Sequence, residues 1–362
     1  MGTRIGKLMS QSFKYCINGR FLTRRVTGVD RYARELVKRL DRYFGINEAV
    51  LLLPDKCEPI DWEPTENIVL QNYGKLSGAM WEQFDLPRYT RKRNLLTVNL
   101  CNTGPLFSPG IVCLHDMNVR ANPAFWDWKF RYYYLLLFSC ITRRAKAVVT
   151  VSHFSESEIL HYYPNAIGKI AVIPNAWQHV ERVQEDSLAL SKYGLESKGY
   201  YFALSSLAPS KNLKWIAETA KLNPSCVFAV AGGINTNVFG DRDIPKADNV
   251  KYLGYVSDGE AKYLMANCKA FLYPTLYEGF GIPPMEAMAV GASRVIVSDI
   301  PCMHEIYGDS VAYLDPFTPQ QNLDEIKANS VEAYKEVLNS YSWDLSACRL
   351  FELLASCLND NK

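Results

Sequence analysis

The sequence predicts an α/β fold of two Rossmann-like domains facing a central cleft. Three observations carry that reading. The 362 residues exceed one ordinary core, because domains cluster near roughly 100–150 residues. Short β-rich runs alternate with helix-period patterns along the whole chain. The strand runs are also continuously apolar, the mark of parallel sheets covered by helices on both faces. Hydrophobic content of 48% with 22% charged residues excludes wholesale disorder.

In chain order, Phe13–Leu22 reads as a strand, and Gly28 opens the helical stretch VDRYARELVKRLDRYF. Its apolar residues Val29, Tyr32, Ala33, Leu36, Val37 and Leu40 recur at spacings of three and four. Ala49–Leu53, Ile68–Leu70, Leu95–Leu100, Ile111–Leu114, Ala147–Val151 and Ile170–Ile173 are further strand candidates. The polar stretch HVERVQEDS, after Pro174 and Asn175, reads as a linker. A second alternation follows, with strands at Tyr200–Leu204, Val227–Ala231, Val250–Leu253, Ala270–Tyr273, Arg294–Val297 and Val311–Leu314. Helical patterns fall at Leu213–Lys221, Asp258–Asn267, Pro284–Val290 and Val331–Leu338. The expected domains are therefore residues 1–180 and 181–340, with a final helix over 341–362. Ligands of such sheets sit at the carboxyl ends of the strands.

The formal net charge of +2 hides an asymmetry. Residues 1–180 hold 24 Lys+Arg against 15 Asp+Glu, a balance of +9; residues 181–362 hold 16 against 23, a balance of −7. Such a split points to an anionic surface or ligand for one half. The opening MGTRIGKLMS has no long apolar run, so no secretory signal is expected. The longest apolar run, Tyr132 to Ile141, is about half of the roughly 20 residues that a membrane span needs. Ten cysteines without a C-x-x-C pair suggest reduced thiols in a cytoplasmic protein. Five histidines without metal-ligand spacing make a metal site unexpected.

The densest chemical signal is FLYPTLYEGFGIPPMEAMAV, Phe271–Val290. A strand ends near Pro274, a loop carries Glu278, and a helix opens at Pro283-Pro284. Helix N-termini present free N–H groups to anions, and glycines let backbone approach a ligand closely. Gly279, Phe280, Gly281 and Ile282 therefore offer main-chain donors to a phosphate or sugar hydroxyl. Glu286, eight residues after Glu278, is an acceptor suited to paired hydroxyls such as those of a ribose. The helix dipole alone is the other reason for an acid there.

This segment resembles the E-x₇-E signature of retaining GT-B glycosyltransferases of family 4, the group 1 transferases. Surface-polysaccharide mannosyl- and rhamnosyltransferases are of that kind. Further stretches are similar to that family in order: INGRFLTRRVTGVDRYARELV, WEQFDLPRY, CNTGPLF, IVCLHDMN, TVSHFSESEI, VIPNAW, SSLAPSKNL, GYVSDGEAKYLMANCKAFLYPT and VSDIPCMHEIYGDSVAYLDP. The likeness covers nearly the whole chain. It implies a GT-B fold whose first domain binds the acceptor and whose second binds a nucleoside-diphosphate sugar. The final helix would cross back to the first domain.

The resemblance also implies roles. Lys211 holds the donor diphosphate, Glu278 contacts the transferred sugar, and Glu286 takes the ribose. His115 faces the sugar near the anomeric centre. Gly28 lets donor and acceptor approach the backbone, and Val256 meets the base through main-chain atoms. Asn175 is either a linker cap or a donor contact. Two departures stand out. Ser205 and Ser206 occupy phosphate-loop places where many relatives carry Arg or Ser, so neutralisation leans on Lys211. Arg294 replaces an apolar residue and is either a second cation or a strand-edge residue.

The implied reaction moves a hexose to a glycan hydroxyl with retention. No cofactor and no metal are expected, since no Asp-x-Asp motif is visible. Phe125–Phe138 is rich in aromatics, and Arg143, Arg144 and Lys146 follow it. Trp126, Trp128, Arg131, Arg143, Arg144 and Lys146 are therefore candidates for an anionic membrane surface or acceptor. A core helix with solvated flanks, or nucleic acid, would use similar residues. The family context favours a lipid-linked glycan on the cytoplasmic leaflet, peripheral membrane binding and no nucleic acid. A dinucleotide oxidoreductase would need G-x-G-x-x-G after an early strand, and the first loop, Thr27-Gly28-Val29-Asp30, lacks it. The alternatives are a non-catalytic sugar- or membrane-binding relative, a sugar phosphorylase, or a nucleotide-sugar epimerase on the same fold.

Overall fold

A computed structural model describes residues 13–204, 206, 208–233, 245–326 and 331–359. Its strands are β1 (Tyr15–Asn18), β2 (Ala49–Pro54), β3 (Ile68–Tyr73), β4 (Leu96–Asn99), β5 (Ile111–Cys113), β6 (Ala147–Thr150) and β7 (Ile170–Val172), then β8 (Tyr200–Leu204), β9 (Val227–Ala231), β10 (Val250–Gly254), β11 (Ala270–Tyr273), β12 (Val295–Ser298) and β13 (Ala312–Leu314). The first sheet runs β3-β2-β1-β4-β5-β6-β7 and the second β10-β9-β8-β11-β12-β13. β1 pairs in parallel with β2 and β4, and β8 does so with β9 and β11. Each sheet thus reverses its strand order beside its first strand, the switch point where doubly wound folds bind ligands. β2 is buried at every residue, whereas the edge strand β3 is buried only at Ile68 and then alternates between half-buried and exposed positions.

The helices used below are α1 (Gly28–Leu40), α2 (Leu86–Arg93), α3 (Trp128–Arg144), α4 (His153–Tyr162), α5 (Leu213–Leu222), α6 (Asp258–Asn267), α7 (Ile282–Ala289), α8 (Pro301–Tyr307), α9 (Val331–Ser340) and α10 (Trp343–Asn359). Asp30 anchors the start of α1 by accepting from Thr27 N at 3.0 Å and from Arg24 Nε at 2.9 Å. One core gathers Cys16, Val50, Leu52, Trp81, Leu86 and Tyr89. A further core gathers Tyr201, Trp215, Ile216, Phe228, Val230 and Ile296. Among the described residues no helix is long and apolar enough to cross a membrane.

By their internal contacts the residues form two compact units: 1–114, 139–149 and 347–362, and 115–138 with 150–346. The division expected at residue 180 is therefore interrupted. The chain after β5 and the chain around α4 belong with the second unit, because their polar groups bind its loops. The last residues of α10 belong with the first unit.

Local differences have local causes. The first strand stops at Asn18, whose side chain accepts from Arg20 N at 3.3 Å, and Gly19–Thr23 turns as a 3-10 helix. Phe21 and Leu22 are buried in that turn rather than in a strand. The expected linker holds a second 3-10 turn, Gln178–Arg182, with His179 and Val180 buried. Apolar spacing missed α4, which Ser152 caps by accepting from Ser155 N at 3.0 Å.

Candidate active site

The site begins where β11 ends. Leu276 N donates to Ser210 O at 2.7 Å and Thr275 Oγ1 lies 2.8 Å from the same carbonyl, which pins the loop 274–281 to the turn Pro209–Lys211. That docking brings Lys211 onto Glu278 as an ion pair. Lys211 Nζ also donates to Tyr273 Oη at 2.9 Å. The Glu278 carboxylate accepts from Tyr273 Oη at 2.9 Å, with Thr275 Oγ1 at 2.9 Å as well. Burial and the neighbouring Glu278 charge push the Tyr273 hydroxyl well above its ordinary pKa, so it stays a neutral donor.

A second loop meets the first. Gly279 lies so close to the loop after β5 that a Cβ there would stand 2.0 Å from His115 O and 3.0 Å from Asp116 Cβ. The start of α4 bridges them: Ser152 Oγ donates to Gly279 O at 2.6 Å, and Ser155 Oγ donates to His115 O at 3.0 Å. Tyr277 Oη accepts from Met117 N at 3.3 Å and donates to Glu158 at 3.1 Å. His115 is buried here. Burial pushes the Asp116 carboxyl up to about 6; the Asn118 N–H pulls it down, Glu278 adds to the rise, and Lys211 opposes it.

α7 supplies the third part. Gly281 precedes it with φ +84°, and a Cβ there would meet Met303 Cε at 2.7 Å. The Phe280 ring is buried against Tyr341, with centroids 5.3 Å apart, so only its main chain faces the loop. Among the described residues, no partner binds the N–H groups of Gly279, Phe280, Gly281 or Ile282, and the helix start adds partial positive charge. Glu286, one turn on, is bound by His179 Nε2 at 2.7 Å. Trp343 Nε1 donates to His179 Nδ1 at 3.2 Å.

The other expected residues fall as follows. Ser206 is exposed, and Ser205 lies outside the described residues. Val256 is buried just before α6. Asn175 is 3% exposed and its Oδ1 has no partner among the described residues. It caps no helix, since Trp177 holds the N-cap position of the nearest turn. Gly28 opens α1 in the first unit, and among the described residues nothing lies within 4 Å of where a Cβ would stand. Arg294 donates to Leu323 O at 3.0 Å and to Ile326 O, which ties down the chain after β13 rather than presenting a free cation.

The expected aromatic-basic surface divides. Trp126, Trp128 and Arg131 belong to the second unit, and Arg143, Arg144 and Lys146 to the first. Trp128 is 63% exposed, and Tyr132 and Leu136 continue its stripe along α3. Trp126 is half-buried and stacks on Phe130, with centroids 5.0 Å apart. Arg144 donates to Leu106 O at 3.0 Å and Lys146 to Cys357 O at 3.2 Å, so both are partly committed to their own unit.

Sequence reasoning missed Asp116, Ser152, Ser155, Tyr273 and His179. Asp116, Ser152 and Ser155 lay within motifs quoted only as markers, and His179 lay in the expected linker. Among the described residues, no group of three His, Cys, Asp or Glu side chains is placed to hold a metal ion.

The fold agrees with solved structures. The sucrose-phosphate synthase of Thermosynechococcus elongatus superposes with a TM-score of 0.71 at 14% identity, covering 96% of this chain and 99% of that one. HepE of Anabaena, in complex with UDP and glucose, superposes at 0.68 and 14% identity, covering 95% and 100%. Residues 190–336 match the family described as Glycosyl transferases group 1, and that span contains Lys211, Glu278 and Glu286. The chain has the GT-B fold. The chain is 26% identical to the O-antigen chain mannosyltransferase B of Escherichia coli, over 86% of this chain and 88% of that one. It is 28% identical to the O-antigen chain mannosyltransferase RfbU of Salmonella typhimurium, over 87% and 85%.

Proposed function

We propose that this chain is a glycosyltransferase that moves a hexose from a nucleoside-diphosphate sugar to a hydroxyl of a lipid-linked surface-polysaccharide intermediate of O-antigen type. The observation that carries the reading is the Lys211–Glu278 pair at the mouth of α7. A diphosphate brought there meets the Lys211 ammonium and the N–H groups of Gly279 to Ile282. Glu278 then binds sugar hydroxyls away from the reacting carbon, and His115 faces the anomeric centre. Glu286 takes the ribose, Val256 meets the base, and the buried Asn175 Oδ1 accepts from the donor. The relatives named as O-antigen mannosyltransferases support mannose as the sugar and turnover over mere binding.

The reaction proceeds with retention and without a metal. The bond between the anomeric carbon and the phosphate oxygen breaks, the acceptor oxygen bonds to the same face, and its proton passes to the departing phosphate oxygen. Lys211 and the preorganised N–H groups stabilise the charge of the leaving group. We place the protein in the cytoplasm, peripheral to the inner membrane face, with the exposed Trp128–Tyr132–Leu136 stripe supporting contact with lipid.

Purified protein is offered GDP-, UDP- and dTDP-hexoses with a lipid-linked acceptor. Transfer is expected, with the product's anomeric configuration matching the donor's by NMR and with EDTA leaving the rate unchanged. Lys211→Ala and Glu278→Ala should each lower kcat/KM by at least about 100-fold. Full activity in both variants would overturn the site. Inversion, or abolition by EDTA, would overturn the mechanism. Donor binding without any turnover would mark a non-catalytic relative.

A further inference from the structure

We infer that His179 is a positioning residue for nucleotide recognition: it orients the Glu286 carboxylate toward the ribose hydroxyls of the donor. This rests on the ribose role proposed above for Glu286. Three groups distant in sequence meet here. Trp343 is fully buried at the first residue of α10, and its indole Nε1–H donates to His179 Nδ1 at 3.2 Å. An indole nitrogen only donates, so His179 Nδ1 is the acceptor. The imidazole proton therefore sits on Nε2, which donates to Glu286 Oε1 at 2.7 Å. His179 is 3% exposed and has only these two polar partners among the described residues.

The chain on either side is held too. Gln178 Nε2 donates to Tyr341 O at 2.8 Å, and Trp343 N donates to Gln178 Oε1 at 3.2 Å. Ser346 Oγ donates to Pro174 O at 2.8 Å. The imidazole thus has a fixed tautomer and a fixed backbone. Glu286 offers its second oxygen, Oε2, with no partner among the described residues. Holding Oε1 in one hydrogen bond removes rotamer freedom from the carboxylate before ligand arrives, so less entropy is lost on binding. The same arrangement explains a histidine in a stretch that otherwise reads as a solvated linker.

The test measures binding of whichever of GDP, UDP and dTDP the protein takes, against its 2′,3′-dideoxy counterpart, by calorimetry on the full chain. Wild type should prefer the hydroxylated ribose by at least about tenfold, the usual scale of a hydrogen bond to a charged group. Glu286→Ala should abolish that preference. His179→Ala should reduce it to under about threefold and raise the donor KM more than it lowers kcat. His179→Gln, whose amide N–H can replace Nε2–H, should restore most of it. In the Glu286→Ala background, His179→Ala should change the preference no further. If Glu286→Ala removes the preference and His179→Ala keeps it, the positioning role is overturned while the ribose role stands. If Glu286→Ala keeps the preference, or none of the three nucleotides binds, the ribose role fails as well. Should His179→Ala not fold, His179→Gln and His179→Asn decide the matter: a purely packing histidine predicts the same preference in both, whereas positioning predicts that Gln exceeds Asn.

Discussion

Asp116 holds a carboxyl where its charge is unwelcome: burial, with the Glu278 charge adding to it, pushes its pKa up to about 6. The folded chain therefore binds a proton more tightly than the unfolded chain between about pH 4 and pH 6. Stability contributed by this group falls as pH rises through that window and is fully lost above it. A rise of this size is worth about 3 kcal/mol at neutral pH. Asp116→Asn removes the charge and keeps an oxygen to accept the Asn118 N–H, at 2.8 Å in the native chain. The variant should raise Tm at pH 7.5 by about 5 °C, and the gain should shrink below pH 5. Thermal unfolding at the two pH values checks this; an equal gain at both would show that the charge is not the source. The strained acid beside Lys211 and Glu278 fits the tendency of perturbed groups to gather at functional sites.

At the scale of the element, the turn into α7 depends on two glycines for different reasons. A Cβ at Gly279 would strike backbone, the His115 carbonyl at 2.0 Å. A Cβ at Gly281 would strike the flexible end of Met303 at 2.7 Å, on a backbone with φ +84°. Gly279→Ala should therefore separate the two loops bridged by Ser152 and Ser155, and lower kcat by at least about 100-fold. Gly281→Ala should cost about 1–2 kcal/mol of stability while losing less activity, because the Met303 methyl can yield. Kinetics and thermal melts on both variants check the order. The two glycines at a loop-to-helix junction and Glu286 in the helix after them were legible, since strand end, glycine and proline are local signals. What Gly279 packs against was not legible, because residue 115 lies 164 positions earlier in the chain.

For the whole molecule, the charge asymmetry survives the redrawn division. Over residues 1–114, 139–149 and 347–362 the sequence holds 22 Lys+Arg against 13 Asp+Glu, a balance of +9. Over 115–138 and 150–346 it holds 18 against 25, a balance of −7. The unit that carries Lys211 is thus acidic on average, so the donor site proposed there works against that average. Exposed charges are screened within roughly 10 Å at 0.1 M salt, and partly buried ones much less. Lys211 is mostly enclosed, with its side chain 20% exposed. Raising salt from 0.05 to about 0.5 M should therefore release the protein from anionic vesicles while changing donor affinity by less than about threefold. Cosedimentation and calorimetry compare the two, and a donor affinity more salt-sensitive than vesicle binding would refute the assignment.

The alternation of apolar strands with helices, and the loop Glu278–Ile282 at the head of α7, could be read from the amino acids in order. Those features rest on backbone preference and apolar period, which act over a few neighbours. Which unit holds His115, the clamp of Ser152 and Ser155 on two loops, and the seat of His179 between Trp343 and Glu286 emerged only on folding. Each is a polar contact between residues more than 30 positions apart. Such contacts are fixed by how sheets and loops pack, so a buried histidine on Glu286 and a solvated one in a linker look alike until the chain closes around them.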